Sequence, residues 1–261
     1  MNKIIFQIKK NGFYVYKNFL KQIEVKHYLN LLNKISRRKI KYKGVPKRDS
    51  GDKIIYNLQN KNFDFIKLLS KNKLVKIAKY FLNDPYYRFL PNNKPNYILN
   101  YFNARSSGSK LDLHIDTHIP FKGEKTFMMQ FVFLLEKSSK KNGCTIAVKG
   151  SHYSGKFSNR KAKKITLLEG EPGDLIIWDS RLWHGTLANI SNQSRWAIIT
   201  TLSSWFIKQK MNMPKSLPLE IFKKCNNEQK QLLGYCSVPP NDELERINTK
   251  TGYKELKLLR K

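Results

Sequence analysis

LDLHIDTHIP, residues 111 to 120, sets His114 and Asp116 on either side of Ile115. On an extended strand alternate side chains share a face, so an imidazole and a carboxylate two positions apart can converge on one metal ion. The pair is a weak signal alone, since any polar strand end supplies it and His118 makes chance pairing easier. It needs a third ligand. The best candidate lies in EGEPGDLIIWDSRLWHGTLANISNQSRWAIITTLSSWF, residues 169 to 206, where His184 follows a Pro-Gly turn and an apolar strand. Two histidines and one carboxylate with open positions are the facial set of a non-haem iron(II) oxygenase. Arg195 follows in RWAIITTLSSWF, after the turn-rich NISNQS segment that can fold the chain into an antiparallel neighbour. A guanidinium there can grip a carboxylate through two bonds, and 2-oxoglutarate has a distal carboxylate to be held. The alternatives for Arg195 are a salt bridge to Asp179 or Glu169, or an outward side chain in solvent.

Four blocks carry a family likeness: HID (114 to 116), NGCTIAVKGSH (142 to 152), GEPGDLIIWDSRLWHGTLANIS (170 to 191) and Arg195. Through them the chain resembles the phytanoyl-CoA dioxygenase family of iron(II)/2-oxoglutarate oxygenases. NGFYVYKNFL near the start is similar to the family's opening strand, and LLGYCSVPP (232 to 240) to its tail. The family usually has a proline before its Gly-Ser-His turn, where this chain has Lys149, a loop change that leaves the ligands untouched. The resemblance implies a mainly β fold with flanking helices, a double-stranded β-helix or jelly roll. It implies iron(II) on His114, Asp116 and His184, with 2-oxoglutarate on Arg195. Gln130, inside the apolar run TFMMQFVFLLE, falls by rough register with the family where it looks out on the co-substrate, as does Asn100 on the preceding strand. An amide satisfied by neighbouring backbone is the equal alternative for both. His152, in the Gly-Ser-His element, is expected to be structural.

The implied activity consumes O2 and 2-oxoglutarate, releases succinate and CO2, and hydroxylates a small molecule. Desaturation, epimerisation and ring closure use the same iron site and stay open. Halogenase relatives lack the carboxylate, and Asp116 disfavours that outcome. The rival from another class is a non-catalytic basic β-barrel module that binds an anionic ligand or nucleic acid. A module of that kind has no use for three metal ligands and the arginine.

With 50 Lys+Arg against 19 Asp+Glu the formal charge is +31, which ordinarily points to nucleic acid or an anionic surface. Forty of the fifty are Lys, as drift towards AT-rich codons produces, whereas phosphate and base recognition favour Arg forks. Nucleic acid is therefore disfavoured as a partner. Two clusters outlast that discount, SRRKIKYKGVPKR (36 to 48) and NRKAKK (159 to 164), either as solvated loops or as a basic rim for an anionic substrate. Cys144, Cys225 and Cys236 are odd in number and widely spaced, which suits reduced structural thiols. No stretch approaches the roughly 20 apolar residues of a membrane span, so a soluble cytoplasmic protein is expected.

At 261 residues, with no linker or repeat, one domain over 1–261 is the economical reading. It comprises a helical buttress (1–85), a jelly-roll core (86–206) and a C-terminal extension (207–261). In the buttress, IIFQI and GFYVYKNF read as strands, residues 21 to 34 as a helix, IIYNL as a strand, and NFDFIKLLS and KLVKIAKYFLN as helices ending at Asn83-Asp84-Pro85. The core begins with strands at YYRFL and NYILNYFNAR. In the extension, SLPLEIFKKCNNEQKQLLGY reads as one helix.

Overall fold

The computed structural model of the protein describes residues 1–36, 53–87, 90–91, 93–106, 108–159, 162, 164–191 and 193–244. Two compact units interleave along the chain, one built from residues 1–56 and 102–200 and the other from 57–101 and 201–261.

The first unit opens with helix α1 (Asn2–Asn11), where the sequence predicts a strand at IIFQI. β-branched residues favour strands, but Ile4 and Ile8 stand four apart and are both buried, which is one helix face. Lys9 and Lys10 sit at its negative end, and Gly12 closes it in the left-handed region with φ 87°. Strand β1 (Phe13–Tyr16) and helix α2 (Gln22–Ser36) follow as predicted. The remaining strands are β2 (Lys53–Tyr56), β3 (Ile98–Ser106), β4 (Leu111–His114), β5 (Met128–Leu134), β6 (Thr145–Ala147), β7 (Thr166–Leu168), β8 (Leu175–Asp179), β9 (His184–Thr186) and β10 (Ala197–Ser203).

They form two antiparallel sheets, one of order β1-β8-β5-β10-β3-β2 and one of order β4-β9-β6-β7. This is the double-stranded β-helix expected from the resemblance. Val132, Leu134, Ile176, Trp178 and Ala197 from the larger sheet pack with Ala147 and Leu168 from the smaller one and with Leu182 between them. Full burial of each aliphatic side chain contributes about 1.5–3 kcal/mol. All seven residues of β5 are buried, Gln130 included. The strand register sets Gln130 opposite Trp178 and Val132 opposite Ile176, so the amide shares the apolar face that lines the interior.

Strand β10 starts at Ala197, two residues later than the predicted run, which takes Arg195 out of the strand. The cause is Glu136, whose carboxylate accepts the backbone N–H of Trp196 at 2.7 Å and the hydroxyl of Ser194 at 2.7 Å.

The second unit holds helices α3 (Phe63–Leu69) and α4 (Asn72–Leu82) as predicted, α3 capped by the Asn62 side chain, which accepts the Asp64 N–H. No strand forms among the described residues of YYRFL: Asp84 takes the Tyr86 N–H on its side chain at 2.9 Å, and residues 85–86 turn instead. The single C-terminal helix of the sequence reading is three short ones, α5 (Met213–Ser216), α6 (Leu219–Lys224) and α7 (Asn227–Leu232). Pro218 breaks the first junction, and Asn226 breaks the second by forming a capping box with Gln229. No helix among the described residues is long and apolar enough to cross a membrane. The basic cluster 36–48 lies outside the described residues apart from Ser36, as do Arg160, Lys161 and Lys163 of the second cluster.

Candidate metal centre

Strands β4 and β9 meet as neighbours in the smaller sheet, with His114 directly opposite His184 and a register shift between Leu111 and His114. The approach is close. A Cβ on Gly185 would collide with the carbonyl oxygen of Leu111, so only glycine lets the two histidine-bearing strands come this near. The two imidazoles stand with centroids 4.2 Å apart. Asp116 lies just beyond β4, its backbone N–H held by the Ser180 carbonyl at 2.8 Å. That bond turns its carboxylate towards both rings, Oδ1 at 3.7 Å from His114 Nε2 and Oδ2 at 3.3 Å from His184 Nε2. One ligand atom from each of the three falls within 4.8 Å of the others, and this is the only such His/Cys/Asp/Glu group among the described residues.

The ring orientations are fixed from behind. His114 Nδ1 lies 2.9 Å from the Asp112 carbonyl, and His184 Nδ1 lies 2.9 Å from the Leu182 carbonyl. A carbonyl only accepts, so each Nδ1 carries the proton and each Nε2 is turned inward, as metal-ligating histidines are usually held. Burial makes the charged form of His184 costly and pushes its pKa down, against the pull of Asp116, which favours a neutral ring. Burial alone would raise Asp116, but His184, His114 and the Trp178 N–H outweigh it and hold the carboxyl at about 2. Two neutral imidazoles and one ionised carboxylate, at separations a single ion can span, fit a divalent first-row metal.

Trp178 is the residue next to the triad that the sequence only loosely marks. Its indole N–H donates to Asp116 Oδ2 at 3.3 Å while the ring packs on His184 at 4.8 Å between centroids. Gln130 shares its face through the β5–β8 register. Arg195 is buried, its backbone N–H donating to Ser106 Oγ at 2.9 Å. Its guanidinium is near enough to Cys144 to oppose the upward push of burial on that thiol, which nonetheless stands at about 11. Asp179, one of the acids considered for Arg195, is engaged elsewhere, on Arg181 and Thr126. Asn100 is buried in the second unit, where its amide nitrogen donates to Ser203 Oγ at 3.4 Å and to the Lys208 carbonyl at 3.1 Å.

Three other histidines stand apart from the triad, His27 on α2 among them. His118 is exposed. His152 is buried, its Nε2 donating to the Lys9 carbonyl at 3.0 Å, and so ties the 3-10 turn Ser151–Tyr153 to the end of α1. Gly12 belongs to the same junction. A side chain there would strike His152 and Leu182, and its carbonyl accepts the Asp179 N–H at 2.9 Å.

Two loops rim the centre. Ser158 Oγ donates to the Leu113 carbonyl at 2.6 Å, and the Trp183 indole donates to the Lys156 carbonyl at 3.1 Å, so segment 156–158 is fastened beside both histidines. The Lys122 side chain lies against Gly155, joining that segment to loop 117–127. Ile119 and Phe157 are exposed on this rim.

In overall fold the chain is similar to HygX from Streptomyces hygroscopicus, solved with nickel and 2-oxoglutarate, at TM-score 0.63 and 16% identity over 80% of this chain and 89% of that one. It is likewise similar to the epimerase SnoN, solved with Fe3+, alpha ketoglutarate and nogalamycin RO, at TM-score 0.63 and 14% identity over 78% and 83% of the two chains. Among curated relatives, Dioxygenase af480 of Aspergillus fumigatus is 25% identical over 141 residues, 52% of this chain and 46% of its own length. Uncharacterized protein Rv1501 of Mycobacterium tuberculosis is 26% identical over 111 residues, 42% of this chain and 41% of its own. The matched stretch thus spans less than half of these relatives' length. Residues 8–197 match the description Phytanoyl-CoA dioxygenase (PhyH), a match that ends before LLGYCSVPP, and the chain belongs to that family.

Proposed function

We propose that the protein is an iron(II)- and 2-oxoglutarate-dependent oxygenase that hydroxylates a small anionic molecule, with O2 consumed and succinate and CO2 released. The observation that carries the reading is the convergence of His114, Asp116 and His184 within 4.8 Å, with both Nδ1 atoms locked away from the centre. In this reading the three side chains hold iron(II) and Arg195 holds the distal carboxylate of 2-oxoglutarate. Gln130 offers its amide from the face it shares with Trp178. Asn100 has its amide nitrogen committed to Ser203 and Lys208, which leaves only a carbonyl oxygen to offer and favours a supporting role in its own unit.

Bound iron(II) supplies the redox centre at which O2 is reduced by electrons from the oxo-acid and the substrate. The chain's own contribution is orientation and exclusion. Asp116 stays ionised through the working pH range because its pKa is near 2. The Asp112 and Leu182 carbonyls keep both imidazoles in the ligating tautomer, and Trp178 fixes one carboxylate oxygen while shielding His184 from water. The apolar cluster around Val132, Leu134 and Ile176 keeps water from the inner wall.

The anionic substrate rests on the rim, where exposed Lys122 and Lys156 stand on the two joined loops with exposed Ile119 and Phe157. An apolar body bearing an acidic group matches that mixture. The free cysteines Cys144, Cys225 and Cys236 favour the cytoplasm as its site of action. The test is anaerobic loading with iron(II), 2-oxoglutarate and a metabolite extract, followed by O2 and mass spectrometry. Products heavier by one oxygen, formed with stoichiometric succinate and depleted when Lys122 and Lys156 are both changed to Glu, are expected. Absence of succinate under all substrate mixtures would overturn the reading.

A further inference from the structure

A buried ion pair lies just upstream of His184, at positions 179 and 181. Arg181 and Asp179 are each 3% exposed at the side chain, joined in a fork with Nε to Oδ1 at 3.0 Å and Nη2 to Oδ2 at 2.8 Å. The remaining terminal nitrogen of Arg181 donates to the Gly123 carbonyl at 2.7 Å, and Thr126 Oγ1 donates to Asp179 Oδ2 at 2.8 Å. The guanidinium carbon lies over the Phe121 ring, 4.5 Å from its centroid, and over the Tyr153 ring at 5.9 Å. Three of these partners, Phe121, Gly123 and Thr126, lie on loop 117–127 of the rim, and Tyr153 ends the 3-10 turn that leads into segment 156–158.

The stretch that carries the pair also handles the ligands. The Ser180 carbonyl accepts the N–H groups of Asp116 and Thr117 at 2.8 and 3.3 Å, and the Leu182 carbonyl accepts from His184 Nδ1 at 2.9 Å. Arg181 lies between those two carbonyls. A buried ion pair adds little to stability compared with well-packed apolar residues, so its place here asks for another explanation. A planar, five-donor fork held at fixed angles is suited to setting the position of backbone around it.

We propose that Arg181 is a positioning residue that clamps loop 117–127 onto segment 179–184 and thereby presets the geometry of Asp116 and His184 before metal enters. The proposal rests on the metal reading above. Losing the clamp lets the loop move, and Asp116, which hangs from the same segment by its backbone, moves with it. Supports of this outer kind typically change metal affinity by about 10- to 100-fold.

The experiment compares the parent with Arg181→Lys, which keeps the charge and loses the fork, and with Phe121→Leu and Thr126→Val, which loosen the clamp without leaving an unpaired charge. The metal-free proteins are first followed by backbone hydrogen exchange, and iron(II) is then titrated against a chelator, with 2-oxoglutarate titrated at saturating iron. Expected are exchange at least 10-fold faster in 116–127 than in the parent with β5 and β8 unchanged, an iron(II) midpoint raised about 10-fold for Arg181→Lys, and a 2-oxoglutarate midpoint within threefold of the parent. The two milder variants should shift in the same order and by less, and they carry the test if Arg181→Lys does not fold. Exchange that rises evenly over the whole chain, or a faster loop with an unchanged iron midpoint, would overturn the positioning role. A parent that takes up no iron(II) would sink the metal reading instead, while exchange in its metal-free loop still decides the clamp.

Discussion

His114 and His184 are direct cross-strand partners, their imidazoles 4.2 Å apart across the β4–β9 pair. Because the two rings share one rung of the sheet, each should be indispensable for metal uptake. His114→Ala and His184→Ala are expected to abolish stoichiometric iron(II) binding while keeping the far-ultraviolet circular dichroism of the parent. Parental affinity in both would disprove the assignment. Asp116→Gly should leave a folded protein that releases no succinate.

Trp178→Phe keeps a ring against His184 but deletes the N–H that meets Asp116 at 3.3 Å. Iron(II) affinity should fall about 10-fold, the lower end of what outer-shell hydrogen bonds contribute. Chelator competition measures it, and an unchanged midpoint would mean that the indole serves packing alone.

Arg195→Ala should weaken 2-oxoglutarate binding by about 30-fold or more, since truncating one partner of a buried charged pair typically costs on the order of 2–5 kcal/mol. Iron(II) binding should stay nearly intact. Arg195→Lys should recover part of the loss, because a point charge lacks the planar fork. The charge-transfer band of the anaerobic iron(II) complex reports the midpoint, and a value unmoved in Arg195→Ala transfers the anchor elsewhere.

His152 gives the pH prediction. Burial lowers its pKa from 6.5, so between the two values the unfolded chain binds more protons than the folded one. Stability is therefore complete above pH 6.5 and declines as pH falls through that window, with a slope of at most about 1.4 kcal/mol per pH unit for one proton. His152→Gln should flatten the fall in urea midpoint between pH 7.5 and 5.5 in the metal-free protein. His184 is also lowered and leaves a residual slope.

Gly185→Ala tests the strand contact. A Cβ there meets the Leu111 carbonyl, which is backbone and cannot swing aside. Both melting temperature and iron(II) affinity should drop together. A drop in melting temperature alone would mean that the two strands tolerate separation without moving the ligands.

What could be read in advance follows from how locally each feature is written. H-x-D is legible because strand alternation puts both side chains on one face, and His184 because an apolar strand and a Pro-Gly turn frame it. The sheet order around them is carried by apolar runs such as the β5 sequence, buried along its whole length. The sequence does not single out Arg181, because its partners are divided between loop 117–127 and the 3-10 turn ending at Tyr153 and meet only after folding. A charged pair flanking Ser180 between two apolar runs was the available signal. At the N-terminus, β-branched residues outweighed the four-residue spacing of Ile4 and Ile8. At the C-terminus, Pro218 and the Asn226 cap outweighed an apparent continuous period. The sequence pattern extends β10 to Arg195, because the competition of the Glu136 side chain for the Trp196 N–H leaves no local trace.

The rung shared by His114 and His184 joins chain positions 70 apart (184 − 114). A slip of one residue between β4 and β9 would turn one imidazole to the opposite face and leave no chelate. On the proposed ligand set, metal uptake would therefore read the register of these strands. An ion that binds only the correctly threaded sheet withdraws that form from all others by mass action. The same ion that equips the centre for redox chemistry would then act as a proofreader of folding, and cells short of iron should accumulate misthreaded chains as well as idle enzyme.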